Sequence, residues 1–322
     1  MPVPIERALQ EFLIACRADG LKPATLRWYE GRLIPFSQRF VDKPIDGISV
    51  VEAREYVVAL RTRGVRYKAA PQRRQIDGPL SADTIRGHIR ALRRFFRWCE
   101  EEYTLKPTEN PMRRIRMPAR PKQVPKAIDL VDLHRLFDAT GDDLAGIRNK
   151  AILAFLADTG CRAGGMLTLT PDRLDLEAGQ AIVIEKFDRA RAVPFGPFTT
   201  AMLRQWLAVR PIEAQTVFCS LTHGAPLKLS GLHSILRRLS ARAGVKGRVN
   251  PHSFRHGFAR QYLANRGDLA TLSQLMGHSD VSVTVSYYAV FSQPELAAAH
   301  SKFSPLKNWE ESLGKERKES DD

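Results

Sequence analysis

The feature that most restricts the fold of this chain is a proline-rich segment about one third of the way along its 322 residues. Residues 106–126, KPTENPMRRIRMPARPKQVPK, contain five prolines, and seven lysines or arginines against one glutamate. Proline fixes φ and removes a backbone donor, so this density opposes a regular helix or strand. We therefore predict an extended, semi-rigid linker between two domains. The predicted domains are residues 1–105 and 127–305, and residues 306–322 form a charged, flexible tail.

The first domain is predicted to be helical, and its last helix has two parallel stripes of side chains. In SADTIRGHIRALRRFFRWCEEE, Ser81 is suited to cap the N-terminus. Apolar residues from Ile85 to Cys99 recur every three or four positions and predict a buried face. Arginines recur one position later and form either a solvated face or a surface that follows DNA phosphates. These are Arg86, Arg90, Arg93, Arg94 and Arg97. Residues 64–80, which are basic and rich in glycine and proline, predict an exposed loop.

The overall charge favours a polyanionic partner such as nucleic acid. Lysine and arginine total 50 against 35 acidic residues, a formal charge of +15, and counterion release rewards contact between such a surface and phosphates. The four cysteines are scattered without a CxxC pair, which predicts free thiols in the reducing cytoplasm and no zinc site. We find no run of eighteen apolar residues and no signal-like segment, and therefore expect no membrane partner.

The second domain is predicted to be mostly helical with one small antiparallel sheet. Residues 181–184 and 192–195 are short strand-like runs on either side of the charged turn EKFDRAR. Helical patterns precede and follow this hairpin, and we find no repeat of 20–50 residues. The predicted fold class is therefore mainly α.

Four stretches of the second domain carry candidate chemistry. They are TGCR, ending at Arg162; the hairpin with Lys186, Arg189 and Arg191; the helix start HSFRH; and MGH followed by a YYAV sequence. An imidazole and a guanidinium three residues apart on a helix, as in HSFRH, share a face, and neither suits an apolar core. Each stretch alone also has an ordinary explanation, such as an arginine that complements a helix C-terminus.

Taken together and in this order, the four stretches resemble the tyrosine recombinase, or phage integrase, family. The resemblance implies a helical core-binding (SAM-like) domain, a linker and a catalytic domain with a small sheet. It also implies a set of catalytic residues, which are Arg162, Lys186, His252, Arg255, His278 and Tyr287. The neighbouring Tyr288 is an alternative nucleophile, but the spacing to the valine of YYAV favours Tyr287.

The chemistry of phosphodiester cleavage requires these residue types. Two guanidiniums, Arg162 and Arg255, can stabilise the charge on the non-bridging oxygens in the transition state. A tyrosine hydroxyl must lose a proton before it attacks phosphorus, and His252 can act as the base. Lys186 can protonate the departing 5′ oxygen, and His278 can hydrogen-bond the phosphate. Because these cations supply the positive charge, we expect no metal and no cofactor.

One position departs from the family pattern. The acidic residue that the resemblance implies three positions after the first arginine is Gly165 in this chain. Such a carboxylate would orient the neighbouring basic groups. We expect Asp158 or Asp172 to compensate, or catalysis to be weaker or differently regulated.

The resemblance implies a site-specific DNA recombinase, located in the cytoplasm with the nucleoid of a prokaryote, a phage or a mobile element. It would work as a tetramer on double-stranded DNA sites, with possible accessory DNA-bending proteins, and residues 296–303 could dock on the same or a neighbouring protomer. Alternatives are a type IB topoisomerase-like enzyme, a hairpin resolvase and a non-catalytic DNA-binding regulator. Further candidate DNA contacts are Arg113, Arg114, Arg116 and Lys122, besides Arg189 and Arg191.

Overall fold

The computed structural model describes residues 2–41, 43–62, 65–66, 76–119, 126–185, 189–277 and 300. The chain divides into two compact units, Met1–Lys122 and Gln123–Asp322. The predicted residues Lys122, Lys186, His278, Tyr287 and Tyr288 lie outside the described residues, as do residues 296–299 and 301–322. In the described part of the chain, no helix is both long enough and apolar enough to span a membrane.

The first unit is built from four helices around an aromatic core. Phe12, Phe36, Phe95 and Phe96 are fully buried, and Phe12 and Phe95 meet edge to face with ring centroids 5.6 Å apart. Such pairs add about 0.5–1.5 kcal/mol to the area that they bury. The helices are α1 (Ile5–Ala18), α2 (Pro23–Arg39), α3 (Val50–Thr62) and α4 (Ala82–Glu102).

Helix α4 has the predicted cap and the predicted buried face. The Ser81 side chain accepts a hydrogen bond from the Thr84 backbone N–H at 3.2 Å. Ile85, Ile89 and Cys99 are buried as expected, but the buried face is wider than a single stripe because His88 and Trp98 are buried as well. The helix is therefore central to the first unit, with arginines along one side.

Residues 106–119 do not form the extended connector that their prolines predict. Pro111–Arg114 is a short 3-10 helix, capped by the Asn110 side chain, which accepts from the Met112 N–H at 2.9 Å. Met112 is 1% exposed and packs with Ile115 in the core of the first unit. Proline at the first position of a helical turn loses no backbone bond, and two apolar side chains between the prolines bury enough surface to fix the segment.

The predicted loop 64–80 contains a short pair of strands. β1 (Val65–Arg66) pairs antiparallel with β2 (Ile76–Asp77), with Val65 opposite Asp77. The prediction of a loop is wrong at these four residues, whose backbones form a two-residue antiparallel ladder.

The second unit is mostly helical with one three-stranded antiparallel sheet, as predicted. Strands lie in the order β3 (Leu174–Asp175), β4 (Gln180–Ile184) and β5 (Ala190–Pro194). Ala181 faces Val193 across the β4–β5 ladder and both are fully buried. The helices are α5 (Leu130–Asp138), α6 (Leu144–Thr159), α7 (Ala163–Leu167), α8 (Pro197–Val209), α9 (Leu229–Arg242), α10 (Pro251–Ala264) and α11 (Leu269–Met276).

Candidate active site

The start of α10 is fixed by a reciprocal pair of capping bonds. The Asn250 side chain accepts from the Ser253 N–H at 3.0 Å, and the Ser253 hydroxyl accepts from the Asn250 N–H at 2.9 Å. This capping box, with Pro251 at the first helical position, sets the direction of the first turn. It places His252 at the surface and directs Arg255 inward.

Arg255 is buried, contrary to the expectation for a guanidinium. The residue is 5% exposed, and its Nη1 donates to the Gly160 carbonyl at 2.7 Å while its Nη2 donates to the Met276 carbonyl at 2.5 Å. A buried charge is tolerated when hydrogen bonds replace its hydration. Arg255 therefore joins the end of α6 to the end of α11.

Arg162 follows the left-handed glycine that ends α6. Gly160 has φ +54°, and a Cβ there would lie 2.6 Å from the Phe258 ring, so glycine is required on both counts. Arg162 lies two residues after Gly160. Its guanidinium forms an ion pair with Glu185, and the Arg162 Nη2 donates to the Gly277 carbonyl at 3.3 Å. The Arg162 side chain is 36% exposed, so it retains access to solvent.

The C-terminus of α11 is the point at which the arginines meet. Three consecutive carbonyls accept from three different arginines: Leu275 from Arg191 at 2.5 Å, Met276 from Arg255 and Gly277 from Arg162. The last carbonyls of a helix lack intrahelical partners and carry partial negative charge. The predicted His278 is the next residue in the sequence.

Glu185 belongs to this arginine cluster, although the sequence analysis treated it only as part of a charged turn. Its carboxylate pairs with Arg162 through Oε2 and with Arg191 through Oε1 at 3.0 Å. The compensation expected from Asp158 is wrong, because the Asp158 carboxylate instead accepts from the Gly196 N–H and the Thr199 hydroxyl, both at 2.7 Å, at the start of α8. Asp172 is exposed, and its hydrogen bond with Thr170 lowers its pKa.

Partial burial and nearby positive groups favour the neutral form of the His252 ring. Partial burial lowers the pKa of His252 below the ordinary 6.5, and so do Arg255, Arg248, His233 and Arg162, in decreasing order. A neutral imidazole near pH 7 can accept a proton. Arg248 and His233 are exposed and were missed by the sequence analysis. The sequence did offer one indication that Arg248 lies near His252, because Arg248 is two residues before the N-cap of α10.

The family follows from comparison with known proteins. The model of the Phage integrase family matches residues 126–293. That range covers more than half of the chain. The chain belongs to the phage integrase family. The family predicted from the four stretches is therefore confirmed.

Curated relatives of this integrase-family chain include tyrosine recombinases of the XerC type. The XerC of Alcanivorax borkumensis is 30% identical over 274 residues, which cover 83% of this chain and 83% of the relative. An Escherichia coli XerC is 29% identical over 273 residues, covering 83% and 86%.

Solved structures of integrases have the same fold. The Tn1549 transposon integrase in complex with circular intermediate DNA superposes with a TM-score of 0.72 at 19% identity, covering 92% of this chain and 99% of that one. A lambda integrase dimer bound to a core site superposes with a TM-score of 0.66 at 17% identity, covering 87% and 97%. The predicted fold class is confirmed.

The candidate DNA contacts of this integrase-family chain fall into two groups. Exposed arginines are Arg90, Arg93, Arg94, Arg97, Arg113, Arg114, Arg116 and Arg189, and of these Arg113 also binds both carboxylate oxygens of Glu100, at 2.6 and 2.9 Å. Arginines that donate to backbone carbonyls are Arg86, Arg93 and Arg191, whose acceptors are Pro118, Ile115 and Leu275. In the described part of the chain, no group of three histidine, cysteine, aspartate or glutamate side chains is placed to hold a metal ion.

Proposed function

We propose that this chain is a site-specific DNA recombinase that cuts and rejoins double-stranded DNA through a covalent 3′-phosphotyrosyl intermediate. The observation that carries the proposal is that Arg162 and Arg255 both donate to carbonyls at the end of α11, with His252 near enough for both charges to lower its pKa. The likeness to XerC tyrosine recombinases over most of both chains supports the same activity.

The two arginines are suited to hold the scissile phosphate. The carbonyls of Gly277 and Met276 orient the guanidiniums of Arg162 and Arg255, and a guanidinium matches the geometry and charge of phosphate oxygens. These carbonyl bonds fix the guanidiniums before DNA binds. Donors that are already oriented stabilise the charge of a pentacoordinate transition state most effectively.

The proton transfers are assigned to His252 and Lys186. In the proposed step, the phenol oxygen of Tyr287 attacks phosphorus while its proton passes to the neutral imidazole of His252. The bond to the 5′ oxygen breaks, and that oxygen takes a proton from Lys186. His278 hydrogen-bonds the phosphate. The phosphotyrosyl ester keeps the energy of the broken bond, so the reverse attack by a 5′ hydroxyl rejoins the strand without a nucleotide.

The proposed setting follows the same relatives. The neighbours bound to circular intermediate DNA or to a core site support a duplex DNA partner, which also suits the charge of +15. We place the enzyme in the bacterial cytoplasm with the nucleoid, acting as a tetramer on paired sites, with accessory DNA-bending proteins as possible partners. The first unit would hold the DNA through the exposed arginines of α4.

A nicked suicide substrate tests the proposed chemistry. Cleavage next to the nick releases a short fragment, so the covalent protein–DNA adduct accumulates and is visible on a denaturing gel. We expect the wild type to form this adduct, Tyr287→Phe to form none, and the matched control Tyr288→Phe to form it. If Tyr287→Phe forms as much adduct as the wild type, this nucleophile is wrong, and if no variant forms it, the enzyme proposal is wrong.

A second assay separates recombination from the related strand-passing reaction. A plasmid that carries two cognate sites should give deletion or inversion products, whereas a topoisomerase-like enzyme would relax any supercoiled plasmid. Relaxation without product exchange would contradict the recombinase proposal.

A further inference from the structure

Glu185 occupies an unusual place for a carboxylate in a site that must attract a phosphate. Its side chain is 10% exposed, and each oxygen is bound to a different guanidinium, Oε2 to Arg162 and Oε1 to Arg191. Both of these arginines also donate to carbonyls at the end of α11, at Gly277 and Leu275 respectively. One carboxylate therefore connects strand β4, strand β5, Arg162 and the end of α11.

The packing around Gly277 shows how closely this network is fitted. A Cβ at Gly277 would lie 2.7 Å from Arg191 Nε and 3.0 Å from Glu185 Oε2. Gly277 also has φ +62°, which disfavours any side chain. The Glu185–Arg191 pair thus lies directly against the residue that leads into His278.

Position 165, where the family resemblance implies a carboxylate, lies close against β4. Gly165 lies on α7 after Arg162, and a Cβ there would be 3.0 Å from the Val183 Cβ and 3.5 Å from the Ile184 carbonyl. Any side chain at position 165 would therefore bring its Cβ tightly against Val183 of β4. The strand that crowds position 165 is the one that brings Glu185 to Arg162.

We propose that Glu185 is a positioning residue that holds the Arg162 guanidinium in the orientation needed for the scissile phosphate. Through Arg191 it also fixes the backbone from which His278 follows. Glu185 does not contact DNA in this proposal, and it takes no proton. The inference rests on the proposed function, because it assigns Arg162 to the phosphate.

A positioning role and simple charge repulsion predict opposite results for Glu185→Gln. If the carboxylate only weakens phosphate binding, its neutralisation should tighten DNA binding and speed cleavage. If it positions Arg162, cleavage should slow even when DNA is saturating. Supporting partners of this kind contribute about 10- to 100-fold to activity in metal sites, and we expect a loss of that order here.

The decisive measurement is single-turnover cleavage of the nicked substrate with protein in excess, with DNA affinity measured separately. We expect Glu185→Gln to lower the cleavage rate constant about 10- to 100-fold, with no loss of DNA affinity. Glu185→Asp, which keeps the charge, should recover part of the rate. The matched control is Glu177→Gln, which removes the exposed ion pair with Arg204 and should cleave like the wild type.

Two further readouts keep the test conclusive. The pH dependence of cleavage by Glu185→Gln should keep the wild-type acidic limb, because the groups that set the His252 pKa do not include Glu185.

If Glu185→Gln does not fold, the Arg191→Lys variant takes its place in the test. A lysine ammonium at position 191 would not bind both the Leu275 carbonyl and the Glu185 carboxylate in the same way, and we expect the same slow cleavage. Wild-type rates in a folded Glu185→Gln or Arg191→Lys protein would overturn the inference while leaving the recombinase proposal intact. Absence of an adduct from the wild type would instead overturn the proposed function.

Discussion

The arginines of α4 and the arginines at the end of α11 carry the same charge in different surroundings. Arg90, Arg94 and Arg97 extend into solvent from the first unit. Around α11, by contrast, Arg191 and Arg255 have little exposure and donate to backbone carbonyls. A basic cluster can therefore be either a solvated charged face or a rigid part of the fold, and the hydrogen-bond acceptors of its arginines distinguish the two.

The same division occurs within α4 itself. Arg93 lies on the basic stripe, yet its Nη2 donates to the Ile115 carbonyl at 2.5 Å, and Arg86 donates to the Pro118 carbonyl. These two arginines hold the proline-rich segment against the first unit. Arginines at helical spacing therefore need not share one role.

The largest expected effect is on Arg255. Arg255→Ala leaves the Gly160 and Met276 carbonyls without their donor, and a buried group that loses its partner costs about 1–3 kcal/mol of stability. Cleavage should fall by at least about 100-fold, as for the loss of an oriented transition-state donor. Denaturant unfolding and adduct formation check both effects. The control is Arg90→Ala, which should change stability by no more than about 0.5 kcal/mol. Equal losses of stability and cleavage in Arg255→Ala and Arg90→Ala would contradict the distinction between buried and solvated arginines.

The next effect concerns DNA affinity and its salt dependence. Replacing Arg90, Arg94 and Arg97 together by alanine should weaken binding and reduce the slope of log K against log salt by up to about three, because each phosphate contact contributes about 0.9. The cleavage rate constant at saturating DNA should remain near the wild-type value. Fluorescence anisotropy across a salt series measures the slope. Arg113→Ala, which removes an arginine already paired with Glu100, should change it less. An unchanged slope in the triple variant would mean that these three arginines contact solvent and not DNA phosphates.

A smaller effect is expected from one methyl group at the end of α11. Gly277→Ala combines a left-handed φ with the close contact to Arg191 and Glu185. Gly244→Ala is the matched control, because Gly244 has φ +64° and open space around its Cβ position. We expect about 1 kcal/mol of destabilisation in the control from the backbone alone, and about 1–3 kcal/mol more at Gly277 from crowding. Similar destabilisation in Gly277→Ala and Gly244→Ala would show that Arg191 and Glu185 can move away from the added methyl group at little cost.

The smallest effect is a shift in pH dependence. Arg248 contributes to the lowering of the His252 pKa, so Arg248→Ala should let this pKa rise toward 6.5. The imidazole would then become protonated, and inactive as a base, at a higher pH, so the acidic limb of the cleavage rate should move upward in pH. Single-turnover rates between about pH 5 and pH 8 measure it. The control Arg242→Ala removes an exposed arginine that donates to Ala139 and should leave the limb in place. A downward movement would contradict the assignment.

The sequence predicted the features that depend on local patterns. The cap at Ser81, the buried stripe of α4, the hairpin of β4 and β5 and the helix start at Asn250 each follow from residues within a few positions of one another. The family resemblance added the order of the site residues. Arg162 and Arg255 do come together at α11, as that order implied.

Other features depend on contacts between distant residues and had no local signal. Glu185 meets Arg162 across 23 positions, and Arg162 meets Gly277 across 115. The burial of Met112 likewise depends on the surface that α3 and α4 offer to the proline-rich segment. A rule about proline density describes the backbone of a segment in isolation, and it cannot include the apolar surface of a neighbour.

The three carbonyls at the end of α11 have a thermodynamic consequence for the empty enzyme. Like charges repel, and a group of guanidiniums gathered without counter-charge would open the fold. Here the negative end of a helix and one carboxylate offset the charge of the guanidiniums within the fold itself. In the proposed reaction, the phosphodiester would meet positive groups that are already held in place, and little of its binding energy would go into rearranging the protein.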